Sequence, residues 1–149
     1  MKIAIATDHN GVEIKKEIIK QLSNLDFIDK SPNNTDTDDY PDYAFKVAES
    51  IINKEATYGV LLCGTGIGMS IAANKVKGIR CAHCSNEEQA FLARNHNDAN
   101  IIAISYKQDL EEILDMVNKF VTSSHSEEER HHRRVNKIIN YESGEYNEL

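Results

Sequence analysis

The run Cys63-Gly64-Thr65-Gly66-Ile67-Gly68 gathers a thiol, a hydroxyl and three of the chain's seven glycines into one short stretch. A cysteine placed just ahead of a helix N-terminus is driven toward thiolate and can act as a nucleophile or as a base. Glycines in close succession let backbone N–H groups converge into an anion-binding nest. The same residues also fit a tight strand-to-helix turn with nothing bound, and a cysteine after an apolar strand is ordinarily structural. The glycines and Thr65 tilt the balance toward chemistry. Nucleotide motifs fit poorly: Met69 stands where G-x-G-x-x-G needs its last glycine, and the G-K-[ST] ending of a P-loop is missing.

Other groups are spread along the chain. Asp8-His9 offers a carboxylate beside an imidazole, and His96-Asn97-Asp98 a second imidazole beside an amide, which an exposed helix-end cap would also explain. Arg130 and Arg134 are four apart and share a helix face near His131, a fork suited to phosphate; pairing with Glu127 and Glu128 is the alternative. Cys81-Ala82-His83-Cys84 is formally a C-x-x-C, but no second ligand pair completes a zinc site, and a thioredoxin-like motif would precede a helix near the N-terminus rather than lie this far along the chain. Both cysteines are expected at strand or core positions. Asn34 to Asp39 resembles a calcium loop in composition only and reads as a solvated loop or lid edge.

These groups need a frame. Lys2–Thr7, Phe27–Lys30, Tyr58–Leu62, Ile79–Cys84 and Ile101–Ser105 read as strands. Apolar residues at spacings of three and four mark helices after Val12, over Tyr43–Ile52, Met69–Asn74, Glu87–Arg94 and Leu110–Phe120, with a last one over Glu127–Tyr141. Strands alternating with helices predict a doubly wound α/β domain over residues 1–149, with a parallel sheet covered on both faces. Ligands of such sheets bind beyond the carboxyl ends of the strands. Asp8-His9 and Cys63 to Gly68 fall there, whereas His96-Asn97 falls before the fifth strand, which calls for a loop over the rim or a site built by two copies. The last helix has a narrow apolar face suited to a partner subunit.

With 17 Lys and Arg against 24 Asp and Glu, the net charge of −7 disfavours nucleic acid and anionic membrane as partners. No apolar run approaches a membrane span, Met1-Lys2-Ile3-Ala4 leads straight into a strand without a signal peptide's apolar region, and three cysteines make no disulfide framework. The expectation is a cytoplasmic protein acting on a small molecule.

Taken in order, Asp8-His9, Tyr40-Pro41, Cys63 to Gly68 followed by Ser70-Ile71-Ala72-Ala73-Asn74-Lys75, His96-Asn97-Asp98, and Arg130-His131 with Arg134-Val135 resemble the ribose-5-phosphate isomerase B (RpiB/LacAB) family, from Lys2 to about Ile139. The resemblance implies a Rossmann-like αβα sandwich in a homodimer, in some members paired into tetramers, with active sites shared between subunits and the last helix on the partner. It implies interconversion of ribose 5-phosphate and ribulose 5-phosphate in the pentose phosphate pathway, without metal or cofactor. His96, helped by Asp8, would open the furanose ring. Cys63 would move the proton from C2 to C1, and Thr65 would aid transfer between the oxygens. The charge of the cis-enediolate would fall to Asn97 and the backbone of Gly64, Thr65, Gly66, Ile67 and Gly68, beside Tyr40. His9, Arg130 and Arg134 would hold the phosphate.

One departure concerns the segment after the fifth strand, where the family's G-S-R is Ser105-Tyr106-Lys107 here. Lys107 keeps the charge and loses the guanidinium fork. Galactose 6-phosphate is a weaker fit, because that branch divides Cys63-like and His96-like features between two chains, and allose 6-phosphate stays open as a second substrate. Two other classes compete: a phosphate-ligand sensor without catalysis, and a redox protein using Cys81 and Cys84.

Overall fold

A computed structural model, describing residues 1–148, shows five parallel strands in the order β2-β1-β3-β5-β4. The strands are β1 (Lys2–Thr7), β2 (Asp26–Asp29), β3 (Tyr58–Cys63), β4 (Cys81–His83) and β5 (Ile101–Ser105). The helices are α1 (Val12–Gln21), α2 (Tyr40–Ile52), α3 (Ile67–Ala73), α4 (Glu87–Asn97), α5 (Leu110–Thr122) and α6 (Glu129–Ser143). This is the expected doubly wound three-layer architecture.

The period-two alternation of the strands builds two unlike cores. Ile3, Ile5, Val60, Leu62, Ile102 and Ile104 face one side and pack with α1, α4 and α5. Phe120, Met116, Ile113 and Val117 of α5 are fully buried there, and each such side chain stabilises the fold by roughly 1.5–3 kcal/mol. The other side is lined largely by small residues: Ala4, Ala6 and Ala103 of the sheet meet Ala44 and Ala48 of α2 and Ala72 and Ala73 of α3. Small side chains let α2 and α3 lie close to the sheet, and Gly59 shows how close, since a Cβ there would come within 2.5 Å of Val47.

Several boundaries moved from expectation. The fourth strand is shorter than Ile79–Cys84, because the N–H groups of Ile79 and Arg80 go to the Val76 carbonyl and the Asn100 side chain. Helix α4 runs past Arg94 to Asn97 and stops at Asp98, whose φ of 45° is left-handed. Helix α6 spans Glu129–Ser143 rather than Glu127–Tyr141, and its first half packs on its own chain through buried His131 and Val135. Its second half leaves Ile138, Ile139 and Tyr141 exposed.

Candidate active site

Strands β1 and β3 are neighbours, yet β1 leads to α1 on the isoleucine-rich face and β3 to α3 on the alanine-rich face. A crevice therefore opens between their carboxyl ends, at the position where such sheets bind ligands. Cys63 is the last residue of β3 and opposes Ser105 in register. Alternation turns its side chain, with Leu61, toward α3. Cys63 is 5% exposed, and the Gly66 N–H donates to its Sγ at 3.1 Å. Next along, the Ile67 N–H donates to Thr65 Oγ1 at 3.1 Å.

The glycines of this turn serve different purposes, which corrects the reading of all of them as conformational freedom spent on one nest. Only Gly66 has a left-handed φ, at 80°, and a Cβ there would meet His83 and the Ile104 backbone at 2.8–3.1 Å. Gly68 instead makes room for the Tyr40 ring, which a Cβ would strike at 2.6 Å. Gly64 faces the Tyr106 hydroxyl and Lys107 Cε at ordinary contact distance. The loop after β5 is tied down by the Ser105 hydroxyl, which donates to the Gly64 carbonyl at 2.8 Å, and by the Tyr106 N–H, which donates to the Cys63 carbonyl. Lys107 thus stands over the turn that carries Cys63.

From β1, Asp8 caps the short 3-10 turn His9–Gly11 by accepting from the Asn10 N–H at 3.0 Å. Burial, with the charges of Asp8 and Cys63, raises the pKa of the neighbouring Tyr106 hydroxyl. His9 is held from the far side by Asp38, whose Oδ1 lies 2.7 Å from Nδ1 and accepts from the His9 backbone N–H at 3.1 Å. Asp38 Oδ2 accepts from Asn34 Nδ2, the Thr35 N–H and the Tyr43 hydroxyl. Burial alone would raise the Asp38 pKa; the hydrogen bonds from Asn34, His9 and Tyr43 outweigh it and hold the carboxyl well below the usual carboxylate range. The Asp38 hydrogen bond raises the His9 pKa above that of ordinary imidazole against a smaller opposing effect of burial. The loop read as solvated is exposed at Asn33, Thr35, Asp36 and Thr37, but Asn34 and Asp38 turn inward. Asn34 Nδ2 also reaches the Thr7 carbonyl at 2.9 Å, fastening the loop to the end of β1.

The remaining predicted residues lie at the opposite edge. Helix α4 returns from the carboxyl end of β4 to the start of β5, so His96 and Asn97 sit beyond the amino ends of the strands. Two arginines clamp them there. Arg80 donates to the carbonyls of Asn97 at 3.1 Å and Asp98 at 2.8 Å, and buried Arg94 donates to Asp98 Oδ1 and the Ala99 carbonyl at 2.8 Å. The His96 ring stacks on His131 of α6 at 4.0 Å between centroids. Arg130 Nε pairs with Glu128 at 2.8 Å, one of the two pairings expected for it, while Arg134 is exposed and makes no ion pair among the described residues. A cleft of about 660 Å³ opens beside Asn97, between Arg80, Asn74 and the exposed Ile138 and Tyr141.

The structure thus brings together Asp8, His9, Tyr40, Cys63 to Gly68 and Lys107, and separately His96, Asn97, Arg130 and Arg134. Sequence reasoning missed Asp38, Arg80 and Arg94, which act on other site residues rather than through a motif of their own. Cys81 and Cys84 are buried, and burial pushes both thiols up to about 12, so they are protonated near neutrality and unsuited to redox exchange. Among the described residues, no His, Cys, Asp and Glu side chains cluster as a metal site, and no helix is long and apolar enough to cross a membrane.

Residues 3–138 match the family model described as Ribose/Galactose Isomerase. Ribose-5-phosphate isomerase B of Escherichia coli (strain K12) is 40% identical over 139 residues, spanning 92% of this chain and 93% of that protein. Among solved structures, Clostridium thermocellum ribose-5-phosphate isomerase B superposes with a TM-score of 0.90 at 41% identity, covering 97% of this chain and 99% of the other. The Mycoplasma genitalium enzyme, solved with bound ribulose-5-phosphate, superposes with a TM-score of 0.88 at 41% identity, covering 95% and 96%. With its crevice thiol, its match in sequence and its match in fold all agreeing, the chain belongs to the ribose/galactose isomerase family.

Proposed function

We propose that this protein is an aldose–ketose isomerase that interconverts D-ribose 5-phosphate and D-ribulose 5-phosphate, residues 1–149 acting as one catalytic domain in the cytoplasm. The observation that carries the reading is the Cys63 thiol at the β1/β3 crevice, held by the Gly66 N–H at 3.1 Å in a chain of this family. Cys63 takes the proton from C2 and returns it to C1. Between those steps the cis-enediolate bears negative charge, and preorganised donors lower its energy more than that of the sugar. Backbone N–H groups from Gly64 to Gly68 and the Asn97 amide serve that charge. Thr65 passes the proton between the two oxygens, and Tyr40 and Ile67 wall the sugar.

Because His96, Asn97, Arg130 and Arg134 lie at the other edge of the sheet, a second copy completes each site, and the exposed Ile138, Ile139 and Tyr141 of α6 give the homodimer its apolar contact. His96 from that copy, with Asp8, opens the furanose ring. His9, Lys107 and the second copy's Arg130 and Arg134 hold the phosphate. No metal or cofactor takes part.

The test is formation of ribulose 5-phosphate from ribose 5-phosphate in EDTA, followed in D2O for solvent deuterium entering the product, with allose and galactose 6-phosphates run in parallel. Turnover of ribose 5-phosphate that Cys63→Ala abolishes supports the reading. Tight binding without proton exchange would overturn it in favour of a sensor.

A further inference from the structure

His9 and Asp38 form the one imidazole–carboxylate pair in the crevice, and Asp38 is otherwise fully occupied. Its side chain is 8% exposed, and it accepts from the His9 ring, the His9 backbone, Asn34, Thr35 and Tyr43. His9 is about one-third exposed, and its Nε2 makes no hydrogen bond among the described residues. We propose that Asp38 is the positioning residue for His9, fixing the ring through Nδ1–H so that Nε2 is the nitrogen offered to the substrate's phosphate. This rests on the reading of His9 as a phosphate ligand.

The chemistry of the pair has a consequence for proton placement. A neutral imidazole carries one N–H, and a carboxylate accepting from Nδ1 keeps that proton on Nδ1. Nε2 can then donate to phosphate only while the ring is an imidazolium. The Asp38 hydrogen bond and charge favour that cation, as do the charges of Asp8 on the same segment and Asp36 on the loop. Tyr43 reaches the pair only through Asp38, Tyr106 borders Asp8, and Lys107 stands over Gly64 across the crevice. As pH rises through the raised His9 pKa, the Nε2–H is lost and phosphate binding weakens. Asp38 moves that loss to higher pH.

The measurement uses the intact enzyme and the variants Asp38→Asn, His9→Gln and the double variant, with KM and kcat for ribose 5-phosphate read against pH and the His9 ring followed by NMR. Asp38→Asn is expected to raise KM about tenfold, to leave kcat within about twofold, and to bring the upward turn of KM about one pH unit lower. Added to His9→Gln, it should change KM by less than about twofold, because the two act as one unit. An equal rise of KM in both backgrounds, or a His9 titration that Asp38→Asn leaves in place, overturns the proposal. Should Asp38→Asn fail to fold, the intact enzyme decides: His9 titrating at or below ordinary imidazole would exclude the role. If the intact chain turns over no ribose 5-phosphate, the isomerase reading fails, and the His9 titration with and without inorganic phosphate still tests the pair by itself.

Discussion

The His96 and His131 rings lie face to face, 4.0 Å between centroids and 12° from parallel. His131 is buried, its Nε2 has no hydrogen-bond partner, and burial, followed by the neighbouring His96 and Arg130, lowers its pKa. Two imidazolium rings in that arrangement would repel, so the stack holds while one ring is neutral, and burial favours the neutral form of His131.

Stability should follow. The folded pKa of His131 lies below its unfolded value near 6.5, so the unfolded chain binds more protons in mild acid and stability is lost as pH falls below about 6.5. Burial depresses His125 in the same direction. His131→Phe keeps a flat ring against His96 without a titrating group. Thermal melts should show the melting temperature falling less between pH 7 and pH 5 in this variant than in the parent; equal falls would remove His131 as the cause.

The division of the site between two sheet edges makes a prediction for mixtures. Cys63→Ala and His96→Ala should each be inactive. Exchanged in equal amounts, half of the dimers are mixed, and each mixed dimer carries one site with both residues intact. Activity should return to about a quarter of the parent's. An inert mixture, with subunit exchange verified by mass spectrometry, would refute the shared site.

Gly64 and Gly66 should respond oppositely to alanine. Gly66 has φ of 80° and backbone at 3.1 Å from a new Cβ, whereas Gly64 has its nearest neighbour at 3.6 Å. Gly66→Ala is expected to cost about 1–3 kcal/mol in urea unfolding. Gly64→Ala should unfold at nearly the parent's midpoint, so any loss of its activity reads on the enediolate site rather than on the fold.

Arg134→Ala should raise KM for ribose 5-phosphate by roughly 10- to 100-fold with a smaller change in kcat, the usual range for losing a charge-assisted contact. Arg130, already paired with Glu128 at 2.8 Å, should show a smaller rise. The reverse ranking in steady-state kinetics would assign the phosphate chiefly to Arg130.

The sheet and the thiol turn were legible because both are local. Short continuous apolar runs placed the strands Lys2–Thr7 and Ile101–Ser105 to the residue. Cys63, Gly66 and Asp8 are marked by chain position at strand ends. Asp38 was not legible: the polar residues of 34–39 look alike in sequence, and only the docking of Asn34 onto Thr7 decides which of them turns inward. The end of α4 was missed for the same reason. Arg80 holds the Asn97 and Asp98 carbonyls from outside the helix, and Arg94 of α4 itself reaches forward to Asp98 and Ala99, so the helix continues beyond its apolar pattern.

The alanine-lined face of the sheet bears on the precision of the thiol. Alanine has no rotamers to lose on folding or to exchange afterwards. Cys63 shares its packed cluster with Leu61 and Met69 but also with Ala4, Ala6, Ala72, Ala73 and Ala103, whose side chains each have a single state. Few neighbouring side chains can hop in and drag the sulfur with them, which leaves its setting to one backbone donor, the Gly66 N–H. The smallest side chains in the protein thus act as the fixed mount of its proposed base.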